Sequence, residues 1–359
     1  MIWIAVDAMG GDFAPRNVVD GALAATRHFD IGVTLVGRRQ PIEVELARYR
    51  WLDRDLVRIV DAPDVVTMEE APAAALRRKP GASIRVAADV VAQGRADALV
   101  SAGHTGAAVM AAHGAFGMLR GVDRPALAAT IPTRQRPAVL LDVGASVECR
   151  PQHLLQFAVM GGVYARVGLD IESPRIGLLS IGEEETKGNE LTREAHQLLK
   201  ASLPGFVGNI EARDVYSGDA DVIVCDGFTG NVALKTSEGL VDMIEAGLLG
   251  SFTTRVGSLL ARRALRHVRR RVDYSEYGGA PLLGVAGVTI VGHGRSSARA
   301  VRNAVALAYR FAAQGVIKRV EQEIETACGA SGAPTVGSAF RRTNPAVGRT
   351  NPAKAGSHG

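Results

Sequence analysis

IWIAVDAMGGDFAPRNVVDGALAATRH, residues 2–28, holds in one stretch the unit on which the fold is built. Ile2–Val6 is an apolar run without alternation, as expected of a strand covered on both faces. Asp7-Ala8-Met9-Gly10-Gly11-Asp12 then forms a glycine-rich turn, and Pro15, suited to a first helical turn, opens a helical pattern that lasts to His28. The same succession returns along the chain. Apolar runs at Val33–Val36, Val57–Val60, Ala98–Ser101, Ala126–Ile131, Ala138–Asp142, Arg175–Ile181, Asp221–Cys225 and Val288–Val291 are interleaved with helical patterns. Those patterns cover Ser83–Gln93, Thr105–Gly117, Pro151–Val167 and Asn189–Lys200, and a last one repeats through Val301, Ala304, Val305, Ala308, Phe311 and Ala312. Strands alternating with helices predict an α/β fold: a doubly wound, mainly parallel sheet with helices on both faces.

With 359 residues, 47% of them hydrophobic, the chain suffices for one large catalytic domain, read as residues 1–328. From Gly329 the composition turns to Gly, Ser, Ala, Pro, Thr and Arg without periodicity, so 329–359 reads as a disordered tail. No apolar run approaches the ~20 residues that span a bilayer, and no leader precedes the first strand, so a cytoplasmic protein is expected. Cys149, Cys225 and Cys328 form no CxxC and read as small packed thiols, not as a zinc site or disulfide framework. The net charge of +5 points to acidic partners, and its source is local. Val241, Ile244, Leu248, Leu249, Phe252, Val256, Leu259 and Leu260 recur at helical spacing, joined by Arg255, Arg262, Arg263, Arg266, Arg269, Arg270 and Arg271. This basic amphipathic segment, about 239–272, fits a helix lying on an anionic membrane surface or steering an acidic carrier protein. Without aromatic interleaving, nucleic acid is not an expected partner.

Ligands of open α/β sheets sit at the carboxyl ends of strands, where glycine-rich turns lead into helices. Five such turns are present: Asp7–Asp12, Ser101–Gly106, Asp142–Ser146, Gly182–Glu190 and Asp226–Asn231. Their glycines let backbone N–H groups approach a ligand. No G-x-G-x-x-G opens the first helix, and no P-loop, G-x-S-x-G elbow or recognisable metal spacing occurs. No cofactor or metal is therefore expected. Anion-friendly turns with Lys187 and Lys235 remain, and they suit a small oxyanion such as inorganic phosphate. Lys187 with the amides of Gly188 and Asn189 is the expected phosphate seat. Asn231, with the amides of Gly227 and Gly230, would supply oxyanion donors. Gly10, Gly11, Asp12, Gly103, Thr105, Gly106 and Gly144 complete the expected substrate contacts. His104 reads equally as a general base or as a hydrogen-bonding loop side chain. His293, between Gly292 and Gly294, reads as a turn cap. Asp7, Asp12, Asp142 and Asp226 read as turn or cap residues.

The same turns resemble one family. IAVDAMGGDFAP, SAGHTGA, RPALA, LLDVGAS, IGEEETKGNEL, GNIEARD, VCDGFTGNVALK and YSEYGGAPLLGV follow the order found in the phosphate acyltransferases (PlsX), over about Ile2 to Glu325. The resemblance implies a fold similar to the isocitrate/isopropylmalate dehydrogenase and phosphotransacetylase group. It implies transfer of a long-chain acyl group from acyl carrier protein to phosphate, giving acyl-phosphate for phospholipid synthesis. A homodimer associated peripherally with the membrane, and a downstream glycerol-3-phosphate acyltransferase, are implied with it. His104 and Ser146 depart from the family's pattern, which has Asn at both places; each swap keeps a hydrogen-bonding group. The main rival is a phosphotransacetylase using coenzyme A thioesters. A decarboxylating dehydrogenase would need metal-binding carboxylates that cannot be assembled here, and a non-catalytic membrane scaffold would need no polar turns.

Overall fold

A computed structural model describes residues 1–51, 53–249 and 277–330. Seven strands form one sheet in the order β3-β2-β1-β4-β12-β11-β5. They are β1 (Ile2–Asp7), β2 (Ile31–Gly37), β3 (Val57–Asp61), β4 (Ala98–Ser101), β5 (Ala126–Leu127), β11 (Ala280–Leu283) and β12 (Val288–Val291). The first five in that order run parallel, and β11 is antiparallel to both its neighbours. A second sheet of five strands has the order β6-β7-β10-β8-β9, with β6 (Ala129–Ile131), β7 (Ala138–Leu141), β8 (Ile176–Ser180), β9 (Phe206–Glu211) and β10 (Val222–Val224). Only β6 is antiparallel there. The architecture is thus the expected mainly parallel, helix-covered α/β fold, divided between two sheets.

The division falls inside a run read as one strand. Ala126–Ile131 breaks at Ala128: β5 pairs with β11 of the first sheet, whereas β6 pairs with β7 of the second. Asp142 ties the seam, accepting the Leu127 N–H at 2.8 Å.

Helices α1 (Arg16–Thr26), α2 (Arg39–Leu46), α3 (Pro72–Arg78), α4 (Ser83–Ala92), α5 (Thr105–Phe116), α6 (Pro151–Leu169), α7 (Glu190–Ser202), α8 (Gly227–Leu249), α9 (Ala298–Ala313) and α10 (Val316–Ala330) connect and cover the strands. Helix α6 is buried almost along its whole length, which explains a sequence apolar on every side. One core cluster joins α1, α6 and α9 to strands of both sheets, so the sheets share a hydrophobic interior. Helix α10 carries regular structure to Ala330, two residues into the segment read as tail, and residues 331–359 lie outside the described residues. Among the described residues no helix is long and apolar enough to cross a membrane.

At the amino end of β10, Asp221 is buried and receives both Arg175 and Arg136, at 3.0 and 2.9 Å. Burial alone would push its carboxyl up, but the two guanidinium groups outweigh burial and hold it below the ordinary aspartate range. A depressed carboxyl contributes stability that is present above the unfolded pKa, near 3.9, and is lost as pH falls through the folded one. Asp221→Asn should therefore cost about 2 kcal/mol at neutral pH and flatten the acid limb of stability below about pH 4. Denaturant titrations from pH 2 to 7 measure both.

Candidate active site

The five turns leave the carboxyl edges of two parallel sheets. On the first sheet the turns after β1 and β4 lie against each other: a Cβ on Gly10 would stand 2.8 Å from the Gly103 nitrogen, so only glycine fits. Asp7 is buried beneath them, accepting the Ser101 hydroxyl at 2.8 Å and the Met9 N–H at 3.3 Å. Burial raises its carboxyl above the ordinary range, against the pull of these hydrogen bonds. The turn after β12 closes the group, with the Asp12 N–H donating to the Gly294 carbonyl at 2.8 Å.

His104 is the N-cap of α5. Its Nδ1 accepts the Gly106 N–H at 3.1 Å, which requires the proton of a neutral ring to be on Nε2. The other ring nitrogen is then a donor, so the geometry favours the loop side chain over the general base. His104→Asn, another good N-cap, should retain activity within about threefold, whereas a general base would lose 10²-fold or more. Steady-state rates decide. His293 caps its turn as read, accepting the Arg295 N–H on Nδ1 at 3.2 Å.

On the second sheet β7, β10 and β8 are adjacent and parallel, so the turns carrying Gly144, Asn231 and Lys187 emerge side by side. Asp142, fully buried, is the hub: it accepts N–H groups of Gly144, Ala145 and Ser146, in addition to Leu127. Burial nevertheless keeps its carboxyl above the ordinary range. The turn opening α8 locks onto this hub, because the Gly227 N–H donates to the Ser146 carbonyl at 2.9 Å. At Gly230 a Cβ would come within 1.9 Å of the Asp142 carbonyl oxygen. Asp226 caps the same turn through the Thr229 N–H and hydroxyl.

Asn231 spends one amide hydrogen on the Val143 carbonyl at 3.0 Å, leaving one N–H available to a ligand. Asn189 is the N-cap of α7, accepting the Thr192 N–H at 2.9 Å, and so holds the loop through its side chain. Lys187 is exposed, and its ammonium makes no hydrogen bond or ion pair among the described residues. A buried residue that the sequence did not signal holds this loop from behind. Asn209 on β9 donates to the Glu184 carbonyl at 2.9 Å, and its Oδ1 faces His196 Nδ1 at 2.9 Å. Ser180, at the end of β8, keeps a buried hydroxyl without a hydrogen-bond partner beside Gly188.

Helix α8 links the two edges. It starts in the second sheet's turns, and its Lys235 and Glu238, paired at 2.8 Å, act on His293 together with Asp12 and Arg295. Burial lowers the His293 pKa, with Lys235 and Arg295 adding to that and Glu238 and Asp12 opposing it. The predicted residues thus form two groups facing one helix. Burial pushes the Cys149 thiol up to about 12, Cys225 well above its ordinary range and Cys328 above it, which disfavours the thiolate at each. Arg255, Arg262, Arg263, Arg266, Arg269, Arg270 and Arg271 lie outside the described residues.

Solved structures share this layout. A phosphotransacetylase from Streptococcus pyogenes superposes with a TM-score of 0.60 at 16% identity, covering 87% of this chain and 94% of that one. A branched-chain phosphotransacylase from Enterococcus faecalis gives 0.54 at 14% identity, covering 87% and 99%. The chain is therefore a mainly parallel α/β protein of two sheets with the fold of the phosphotransacylases.

The sequence comparisons carry this further. The family model described as fatty acid synthesis protein matches residues 2–319. A phosphate acyltransferase of Nitratidesulfovibrio vulgaris is 52% identical over 326 residues, 89% of this chain and 94% of the relative. One from Pelotomaculum thermopropionicum is 48% identical over 327 residues, 90% and 95% of the two chains. The chain belongs to the phosphate acyltransferase family and is an acyltransferase.

Proposed function

We propose that the chain transfers a long-chain acyl group from acyl carrier protein to inorganic phosphate, supplying acyl-phosphate for phospholipid synthesis. One observation carries the reading: on adjacent strands, the loop with the free Lys187 ammonium and the orphaned Ser180 hydroxyl emerges beside the turn with the spare Asn231 N–H. Phosphate seated by Lys187 and the loop amides presents an oxygen to the thioester carbonyl carbon. The Asn231 N–H meets the negative charge that develops on the carbonyl oxygen. Collapse of the tetrahedral intermediate breaks the C–S bond, and the carrier thiolate leaves and takes up a proton from solvent. The attacking nucleophile is phosphate itself, so no side chain needs to lose a proton.

Exposed apolar residues on α8, among them Phe228, Leu240, Met243 and Ile244, support an apolar acyl donor or a membrane surface near the cleft. With the arginine-rich segment that follows, they favour peripheral attachment to anionic lipid. Incubating the protein with palmitoyl-carrier protein and phosphate, then trapping with hydroxylamine, should give palmitoyl hydroxamate. Turnover confined to acetyl-coenzyme A would replace this reading with a phosphotransacetylase. Sedimentation with anionic vesicles, lost in an Arg269/Arg270/Arg271→Glu variant, tests the membrane contact.

A further inference from the structure

The described residues contain two buried side-chain oxygens without a hydrogen-bond partner. Ser180 belongs to the site above. The other, the hydroxyl of Thr34, is on the first sheet, in the middle of β2 between β1 and β3. Thr34 is 2% exposed and forms part of a depression of about 410 Å³ whose wall includes Trp3, Arg58, Val90, Arg95 and Asp97. That volume falls within the range of small-molecule sites.

Register explains the assembly. Thr34 pairs with Ala5 on one side and Arg58 on the other, and Trp3 shares the face of Ala5 by strand alternation. The Trp3 ring is held over Gly32, where a Cβ would lie 2.6 Å from it. The Arg58 guanidinium stacks on that ring at 3.4 Å and makes no hydrogen bond or ion pair. Arg95 is engaged only with the neutral Gln93 side chain, at 3.0 Å. Asp97, the one acid of the wall, already accepts the Trp3 N–H at 2.7 Å. The depression therefore carries an excess of positive charge and a guanidinium fork fixed by stacking with its donors unmet, and beside them lies a buried hydroxyl that meets no polar group of the described residues. A buried hydroxyl left unpaired has lost its water and gained nothing in return, a cost that a ligand oxygen relieves. A fork held in place loses little entropy when it meets a phosphate.

We propose that this depression is a second ligand site, on the opposite edge of the sheet from the catalytic turns, for a small phosphate monoester of sugar-phosphate size. Arg58 takes the phosphate, and the Thr34 hydroxyl bonds an oxygen of the ligand.

The chain has two tryptophans, Trp3 and Trp51, so a Trp51→Phe background makes Trp3 a local reporter. Titrating that full-length protein with ribose 5-phosphate should change Trp3 emission saturably, and ribose alone should not. Arg58→Gln should raise the midpoint about tenfold or more, the loss of a charge-assisted contact. Thr34→Val should raise it several-fold while making the unliganded protein no less heat-stable, because the hydroxyl it removes has no partner. Absence of a saturable change at millimolar ribose 5-phosphate overturns the proposal. So does an equal response to ribose, or midpoints unmoved in both variants.

Discussion

Lys187→Ala is expected to lower kcat/KM for phosphate by about 10²–10³-fold, the range seen when one donor to a developing oxyanion is removed. The thermal midpoint should stay where it is. Both expectations come from one observation: the Lys187 side chain is exposed and bound to nothing in the described protein. Its loop is held by other groups, namely the Asn189 cap, Asn209 on the Glu184 carbonyl, and His196 behind Asn209. Removing the ammonium should therefore leave the loop in place and take away only charge. Lys187→Arg should recover part of the rate, since the charge returns with a different donor geometry. Phosphate-dependent kinetics beside a circular dichroism melt give the test. Wild-type rates in the alanine variant would remove Lys187 from the phosphate seat.

Asp142→Ala is expected to act the opposite way, on folding first. Four backbone N–H groups, from Leu127, Gly144, Ala145 and Ser146, converge on this buried carboxylate. Each orphaned donor costs about 1–3 kcal/mol, so even with partial relaxation the loss should reach at least about 4 kcal/mol. Activity should fall with it, because the β7 turn sets the Val143 carbonyl that orients Asn231 and the Ser146 carbonyl that seats Gly227. Asp142→Asn keeps the volume and part of the accepting capacity and should fall between. Chemical denaturation measures the order, and an alanine variant as stable as wild type would refute the hub.

Local pattern was legible where one segment decides its own structure. The runs at β1, β2, β4, β8 and β12 are apolar because parallel strands are covered on both faces, and the starts of α4 and α5 match their sequence signals to the residue. The strands that escaped notice have weaker signals. β9 is only partly buried, and β11 contains Pro281 and follows two glycines, features that read as a turn. The division of Ala126–Ile131 between two sheets could not be read either, since partners far along the chain set it.

The order of the glycine-rich turns was enough to fix the family and to mark the turns that follow β1, β4, β7, β8 and β10. Only the folded structure decided which turn residues are architecture and which remain open to a ligand. His104, Asn189 and Asp142 are committed to backbone N–H groups, and Asn231 is half committed, whereas Lys187 is unengaged. The reason is hydrogen-bond satisfaction: a polar side chain is available for chemistry only if the folded chain has brought it no partner. His104 and Asn189 meet theirs within their own turns, whereas Leu127 for Asp142 and Val143 for Asn231 come from elsewhere in the chain.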